Sequence, residues 1–236
     1  IFSNIRKFSF IDGVLDLRAG NSAADLFEVN FELKKSGSKH KAQVTVGSDQ
    51  ESVFKFLASG AGNPYQLDSY FGDIYVLANF ESNKSITMLL DFLLPPRIFN
   101  SGRIESWLSI SPENLDGQVK FLLRDFQLAY NGLKFKNPAE RFSGLARIYG
   151  SGHNWNIDGL DLLIEMGENS LSIQQSSLSL NKNKILATIS SVDVNSLTTI
   201  LANSISLSEE ITEFFSKSRP SGELKNLILA SNSLDF

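Results

Sequence analysis

The chain contains no cysteine, and this absence excludes several kinds of site at once. Disulfide frameworks, thiolate metal centres and cysteine nucleophiles all need a thiol. A chain without cysteine also suits an oxidising compartment such as a bacterial periplasm, where a stray thiol would be open to oxidation. The residues are therefore compatible with an extracytoplasmic protein.

A basic excess and a long hydrophobic run are also missing. The formal net charge is −4 over 236 residues, so we expect no basic stripe and exclude nucleic acid as a partner. The best candidate for a membrane span, residues 86–95, is too short and contains Asp91. We expect the chain to be an internal segment of a longer protein, with any membrane anchor outside these residues.

Recognisable catalytic motifs are lacking as well. The two histidines, His40 and His153, lie in polar, turn-like stretches, and we interpret both as surface residues. The glycine-containing segments 60–62 and 150–152 lack the lysine of a phosphate-binding loop and the strand-to-helix context of a dinucleotide fold. Carboxylates are scattered without metal-loop spacing. We therefore predict no enzyme activity, no cofactor and no metal site.

What the sequence does contain is strict alternation of apolar and polar residues, the period of a strand with one apolar face. Turn-type residues separate the alternating runs, as at 35–38, 149–152 and 167–169. Short connections of this kind join strands that pair antiparallel, as in a meander. Asp12-Gly13 is predicted to be another such reversal. The pattern indicates about ten or more strands.

Helical spacing replaces the alternation between residues 193 and 217. Asp193 is predicted to cap a first helix, and Ser206 with Glu209 has the capping-box spacing for a second. A further helix is predicted over 85–94, ahead of two prolines. The expected fold is therefore mostly β: a long, curved, groove-like antiparallel sheet with one or two short helical segments.

No linker rich in proline or serine divides the chain, so we predict one segment over residues 1–236. Its two parts, about 1–101 and 102–236, share an order of elements, namely strands, a helix, a proline break and a new strand. Two structural repeats within the segment are therefore a second interpretation.

An apolar sheet face must be covered by a second sheet, helices, a partner or a ligand. The predicted helices are too few to cover about ten strands. One interpretation is a closed β-sandwich with a packed core, a structural or adhesive envelope module without a ligand. The other is an open groove that holds lipid. Its provisional lining is Phe27, Val29, Phe31, Leu33, Val44, Val46, Ile74, Val76, Phe80, Val119, Phe121, Leu123, Leu162 and Ile164.

A glycan-binding β domain is a third interpretation, and it would need exposed aromatic side chains beside carboxylates. Trp107 and Trp155 are the only tryptophans, and both lie at predicted strand starts among apolar neighbours. We interpret them as core anchors, which disfavours this interpretation.

Four segments carry a resemblance to a known family: 70–76 (YFGDIYV), 102–108 (GRIESWL) with the strand that follows through 119–128, 145–166, and 218–224 (SRPSGEL). The last places a Pro-x-Gly turn between a helix and a new strand. In order and spacing, these segments resemble the AsmA-like YhdP family of Gram-negative envelope proteins.

The resemblance implies a repeating β-groove protein that is anchored in the inner membrane and reaches through the periplasm. Its hydrophobic channel would conduct phospholipids between the inner and outer membranes. This chain would be one periplasmic section of that channel, binding acyl chains. Membrane attachment would come from other parts of the parent protein, and the resemblance names no partner envelope protein.

Overall fold

The structure is a computed structural model that describes residues 6–17, 25–48, 51–62, 69–80, 101–126, 129–130, 133–134, 138–181, 184–204, 209–218 and 220–231. The strands are β1 (Lys7–Leu17), β2 (Asp25–Ser36), β3 (Lys39–Ser48), β4 (Glu51–Ala61), β5 (Phe71–Asn79), β6 (Ser101–Ile110), β7 (Leu115–Phe126), β8 (Ala129–Tyr130), β9 (Leu133–Lys134), β10 (Ala139–Ser151), β11 (Asn154–Met166), β12 (Asn169–Asn181), β13 (Lys184–Asp193) and β14 (Glu223–Ser231). The helices are α1 (Val194–Ser204) and α2 (Glu209–Ser218).

Twelve of these strands form one open antiparallel sheet in the order β1-β2-β3-β4-β5-β6-β7-β10-β11-β12-β13-β14. The pair β8-β9 forms a separate two-stranded sheet. The prediction of a mostly β fold built on a long antiparallel sheet with one or two short helices is confirmed. The hairpin turns predicted at 35–38, 149–152 and 167–169 also fall between successive strands.

The chain divides into two compact units. Unit 1 comprises residues 1–95, 103–119 and 148–152, and unit 2 comprises residues 96–102, 120–147 and 153–236. Unit 1 therefore contains β1 to β5 and most of β6, whereas unit 2 contains β11 to β14 and both helices. The division into repeats at about residue 101 stays a prediction.

Among the strand residues that the structure describes, four residues other than glycine have a left-handed backbone, and all four are Asp or Asn. Asp12, Asp125, Asp161 and Asn226 have φ between 49° and 56° and lie in β1, β7, β11 and β14. Asp and Asn tolerate this region better than other residues with a side chain. Each one therefore marks an irregularity within a strand rather than the end of that strand.

Two of these left-handed residues, Asp12 and Asp161, reverse the alternation of side chains. A Cβ added to Gly13 would overlap the Phe10 ring, and one added to Gly159 would lie 2.9 Å from Leu162 Cδ1. Each pair is three residues apart and would occupy opposite faces of a regular strand. The reversal at Asp12 and at Asp161 keeps the apolar side chains before and after it on one face.

This finding corrects one prediction of the sequence analysis and explains the position of Leu160. Asp12-Gly13 is not a reversal of the chain but a bulge inside β1, where the Asp12 amide donates a hydrogen bond to Asn30 Oδ1 (2.9 Å). In β11, Leu160 does not continue the row of Leu162. Leu160 is exposed, and Gly159 takes its place on that face.

Helix α1 begins directly after β13 because Asp193 caps it, as predicted. The Ser196 amide donates a hydrogen bond to Asp193 Oδ2 (2.7 Å), and the Val194 amide donates to the Gly222 carbonyl (2.9 Å). The second bond ties the start of α1 to the turn before β14. Helix α2 ends at Ser218, just before the predicted Pro220 stop. The predicted capping residue Ser206 and the predicted helix over 85–94 lie outside the described residues.

Replacing Asp161 tests the left-handed irregularity. We expect Asp161→Val to lower the free energy of unfolding by about 1–2 kcal/mol, because a β-branched residue is strained at positive φ. Asp161→Gly should change it by less than about 1 kcal/mol. Urea denaturation measures both variants. Ser172→Val, at an exposed site of β12, is the matched control and should not destabilise. Equal stability of the valine and glycine variants at 161 would refute the left-handed backbone at Asp161.

The cap at Asp193 predicts a pH dependence. Hydrogen bonds from the backbone and side chain of Ser196 lower the pKa of Asp193. Its contribution to stability is therefore complete above the pKa of an unfolded Asp, about 3.9, and is lost as pH falls through the lower folded pKa. Asp193→Asn keeps a capping oxygen that does not titrate. We expect acid to destabilise the wild type more than this variant in urea titrations at several pH values. Parallel pH profiles would contradict the prediction.

Candidate functional site

The register of β1 to β6 in unit 1 places apolar side chains opposite one another on one face of the sheet. We call three cross-strand rows on this side the apolar face of unit 1. The central row is Phe10, Phe31, Val44, Phe56, Val76 and Ser106. The two flanking rows are Phe8, Leu33, Ala42, Ala58, Ile74 and Leu108, and Gly13, Val29, Val46, Phe54, Ala78 and Ile104.

These side chains shield one another laterally but are not packed under a second layer in the part of unit 1 that the structure describes. Phe31, Val44 and Phe56 are half-buried, and toward the sheet edge Phe8 and Phe10 are 44% and 52% exposed. The cluster of mutually packed, buried residues found among the described residues lies in unit 2. Its apolar character makes this face the candidate interaction or ligand site.

The opposite face of the same strands is polar. Glu32 lies between two lysines, 2.7 Å from Lys34 Nζ and 3.5 Å from Lys7 Nζ. The hydrogen bond from Lys34 is the main reason that the pKa of Glu32 is lowered. Next to this group, Gln43 pairs with Glu32, and Thr45 pairs with Lys55. Unit 1 therefore separates an apolar face from a charged one over the same strands.

Unit 2 has a similar apolar face, but α1 covers one part of it. Ile200 of α1 packs with Val192, Leu171, Ile173 and Met166, all at most 9% exposed. Leu162 and Ile164, two of the predicted lining residues, are partly buried against this cluster. Because α1 packs on β12 and β13, these two side chains belong to a closed core.

Beyond α1, the apolar rows of unit 2 continue without a covering helix among the described residues. Ile157 pairs with Leu178, which pairs with Ala187, and all three are half-buried. Their row ends on β14 at Leu229, which is 57% exposed. Unit 2 thus combines a closed core with an uncovered apolar surface.

The remaining predicted lining residues fall into three groups. Phe27, Phe80 and Leu123 are buried, at 2%, 2% and 8% exposure, and so present little surface to a ligand. Val119 and Phe121 are half-buried on β7, and the Phe121 ring lies 4.8 Å from that of Phe142. The lining positions on β2, β3 and β5 from Val29 to Val76 all lie on the apolar face of unit 1.

Sequence reasoning missed several members of this face. Phe8 and Phe10 were hidden by the mistaken reversal at Asp12-Gly13. Phe54 and Phe56 belong to a regular alternation on β4 that was overlooked, although it is visible in the sequence. On β6, the Leu108 side chain lies directly over Gly117 of β7, where an added Cβ would overlap it.

The interpretation of Trp107 as a core anchor is wrong. Trp107 is 45% exposed, and its register partner Tyr75 places it on the polar face of unit 1. The two rings lie 5.7 Å apart, and the Tyr75 hydroxyl donates a hydrogen bond to Glu105 Oε1 (2.7 Å), which raises the pKa of Tyr75. Trp155 is half-buried and pairs with Leu180.

A cluster of metal-ligating side chains is absent from the described residues. Those residues contain no group of three or more His, Asp or Glu side chains that could hold a metal ion. His153 lies in the turn between β10 and β11, and His40 pairs with Lys35 at the start of β3. None of the helices in the described ranges is long and apolar enough to span a membrane.

Comparison with known proteins does not identify the chain. No protein-family model, curated protein or solved structure matches it.

Matched isoleucine truncations test the difference between the covered and uncovered faces. Ile173, beneath α1, is 9% exposed, whereas Ile74 on the apolar face of unit 1 is half-buried. We expect Ile173→Ala to lower the free energy of unfolding by about 2–5 kcal/mol, as in a packed core. Ile74→Ala should cost about 1 kcal/mol, because less area is removed from water. Urea denaturation measures the free energy of unfolding of both variants. Equal large losses would mean that the face of unit 1 is covered.

Proposed function

We propose that this chain is a section of a periplasmic hydrophobic groove that binds acyl chains and conducts phospholipids between the inner and outer membranes. The observation that carries the proposal is the apolar face of unit 1, in which register-matched rows cross six strands without a second layer over them in the described residues. Unit 2 adds a shorter uncovered surface beyond α1. The proposed role is passive and needs no catalytic group.

The dimensions of the apolar face suit an acyl chain. Strands lie about 4.8 Å apart, so the five intervals from β1 to β6 extend roughly 24 Å. The hydrocarbon core of a bilayer is about 30 Å thick, so the acyl chains of one leaflet reach about 15 Å. A single row can therefore contact a chain along its whole length.

The energetics suit transfer rather than storage. Each buried CH₂ gains about 0.8 kcal/mol relative to water, so an acyl chain gains on the order of 10 kcal/mol by leaving water for the apolar face. Relative to a bilayer it gains little, because the surroundings are apolar in both places. A lipid can therefore enter and leave such a face, provided that it never crosses water.

The segments that resemble the AsmA-like YhdP family support the same proposal from a separate direction. A protein of that kind would be anchored in the inner membrane by parts outside this chain. The absence of cysteine accords with a periplasmic location.

A closed β-sandwich module of an envelope protein is the second candidate. It is favoured by the packed cluster beneath α1, which is an ordinary hydrophobic core. It predicts that the apolar face of unit 1 is covered in solution and that no lipid is bound. Lipid analysis separates the two candidates.

Two neighbouring residues on β3 provide the test. Val44 lies on the apolar face between Phe31 and Phe56, whereas Thr45 points to the polar face opposite Lys55. We expect phospholipid to co-purify with the wild type and to fall to about a tenth or less in Val44→Glu, because the carboxylate is desolvated beside an acyl chain. Thr45→Glu adds the same charge on the other face and should retain the lipid. Extraction followed by mass spectrometry measures the lipid content of each protein.

Circular dichroism would verify that both variants fold. A wild type without lipid, even after incubation with phospholipid vesicles, would refute the groove and favour the closed module. Equal lipid content in the wild type and folded Val44→Glu would show that lipid binds elsewhere.

A further inference from the structure

Trp107 and Tyr75 form an exposed aromatic pair on the polar face of unit 1. Their ring centroids are 5.7 Å apart, and the rings are tilted by 51°. The two residues are register partners on β6 and β5, so the backbone holds both rings on one side of the sheet. Because Trp107 is 45% exposed, a large part of its indole is accessible from solvent.

A carboxylate that is held from both of its oxygens lies beside this pair. The Tyr75 hydroxyl donates a hydrogen bond to Glu105 Oε1 (2.7 Å), and Arg103 Nη2 lies 3.6 Å from Glu105 Oε2. A carboxylate oxygen has two lone pairs, so each of these oxygens can accept a further hydrogen bond. The Arg103 side chain is 47% exposed and has several N–H donors, of which the ion pair uses only a part.

Polar groups also lie on the other side of the indole. Ser109 follows Trp107 by two residues on β6 and is exposed, and its register partner Asp73 is exposed as well. Trp107 therefore lies between Glu105 and Ser109 on one face of the strand. An accessible indole with hydrogen-bonding groups on both sides suits a ligand that is both apolar and rich in hydroxyls.

A pyranose ring of the gluco configuration has this dual character. In a β-linked glucoside or N-acetylglucosaminide the ring substituents are equatorial, so the axial C–H groups make both faces of the ring apolar. One face can stack on an indole, as other flat rings do, while the equatorial hydroxyls reach the polar groups around it. Glycan binding was disfavoured by the expected burial of the tryptophans, and the exposure of Trp107 removes that objection.

Two other classes of ligand fit this cluster less well. A quaternary ammonium group is bound between aromatic faces and is favoured by nearby negative charge. Here the two rings contact each other, and Arg103 offsets the charge of Glu105. An apolar partner would have to desolvate these two charged groups next to the indole, which costs free energy.

We propose that the exposed cluster of Trp107, Glu105 and Arg103 binds a β-linked saccharide of the gluco configuration. The pyranose ring stacks on Trp107, and its hydroxyls form hydrogen bonds with Glu105 and Arg103. Tyr75 supports the indole and positions the carboxylate. This site lies on the opposite face of the sheet from the proposed acyl-binding rows, so the protein can hold a glycan while its apolar face is occupied.

The two tryptophans of the chain allow the site to be observed directly. Trp155 is half-buried in unit 2 and is not part of the proposed site, so Trp155→Phe leaves Trp107 as the sole tryptophan reporter. We expect cellobiose or N,N′-diacetylchitobiose to shift its fluorescence emission to shorter wavelength, with a Kd on the order of millimolar. In the reciprocal variant Trp107→Phe, the emission of Trp155 should show no saturable shift.

Saturation-transfer NMR titrations of the full chain measure the affinity of the variants for each disaccharide. Trp107→Ala should weaken binding by roughly tenfold or more, because the stacking surface is lost. Glu105→Gln keeps the shape of the side chain and should weaken binding severalfold, because its hydrogen bonds are no longer charge-assisted. Phe71→Ala is the matched control. Phe71 is 55% exposed on the same face of β5, about 14 Å along the strand from Tyr75, and its removal should leave binding unchanged.

The outcomes separate this inference from the proposed function. Val44→Glu changes the other face and should retain the saccharide while it loses lipid. Binding of neither disaccharide by the folded wild type would overturn the site and leave the lipid proposal in place. Equal losses in Trp107→Ala and Phe71→Ala would overturn it too, because binding would then not be specific to this cluster. Tighter binding of tetramethylammonium than of either disaccharide would assign the rings to a cation instead.

Discussion

Antiparallel register is the constraint on which the rest of this structure depends. Phe31, Val44 and Phe56 come from three strands, and only their direct pairing turns three separate alternations into one continuous row. A slip of one residue would move each strand's apolar set to the other face. The same register brings Lys7 of β1 within 3.5 Å of Glu32 of β2 on the polar side, so hydrophobic and electrostatic requirements select the same pairing.

Strict alternation of apolar and polar residues is difficult to maintain along strands of ten or more residues. Where the alternation of this chain breaks, at Asp12 and at Asp161, the Asp residue has a left-handed backbone. This conformation reverses which face the following side chains occupy, so the apolar face continues on the same side. The cost of a left-handed residue is modest for Asp and is offset by the apolar area that stays on one face. Where coverage is needed, in unit 2, α1 supplies it directly after β13, held by the cap at Asp193.

The sequence predicted the features that depend on local patterns. The alternation from Val29 to Leu33, the turns between strands and the Asp193 cap are short-range signals, and the structure contains all of them. It could not predict that Trp107 lies exposed on the polar face. That placement depends on pairing with Tyr75, which is about thirty residues away in the sequence. It also misread Asp12-Gly13, since a bulge and a turn favour the same residue types. Leu162 is partly buried because it packs against the cluster beneath α1. This tertiary contact leaves no periodic pattern in the sequence.

The apolar rows of unit 1 would leave the orientation of a bound apolar molecule undefined, because a hydrophobic contact has no direction. For the proposed function this lack of direction is an advantage. An acyl chain that gains little relative to a bilayer is not held at one row, and it meets the same kind of apolar surface at the next row. The register of β2, β3 and β4 keeps that surface continuous, since Phe31, Val44 and Phe56 lie directly opposite one another. The same pairing that stabilises the sheet would therefore also provide the path along it.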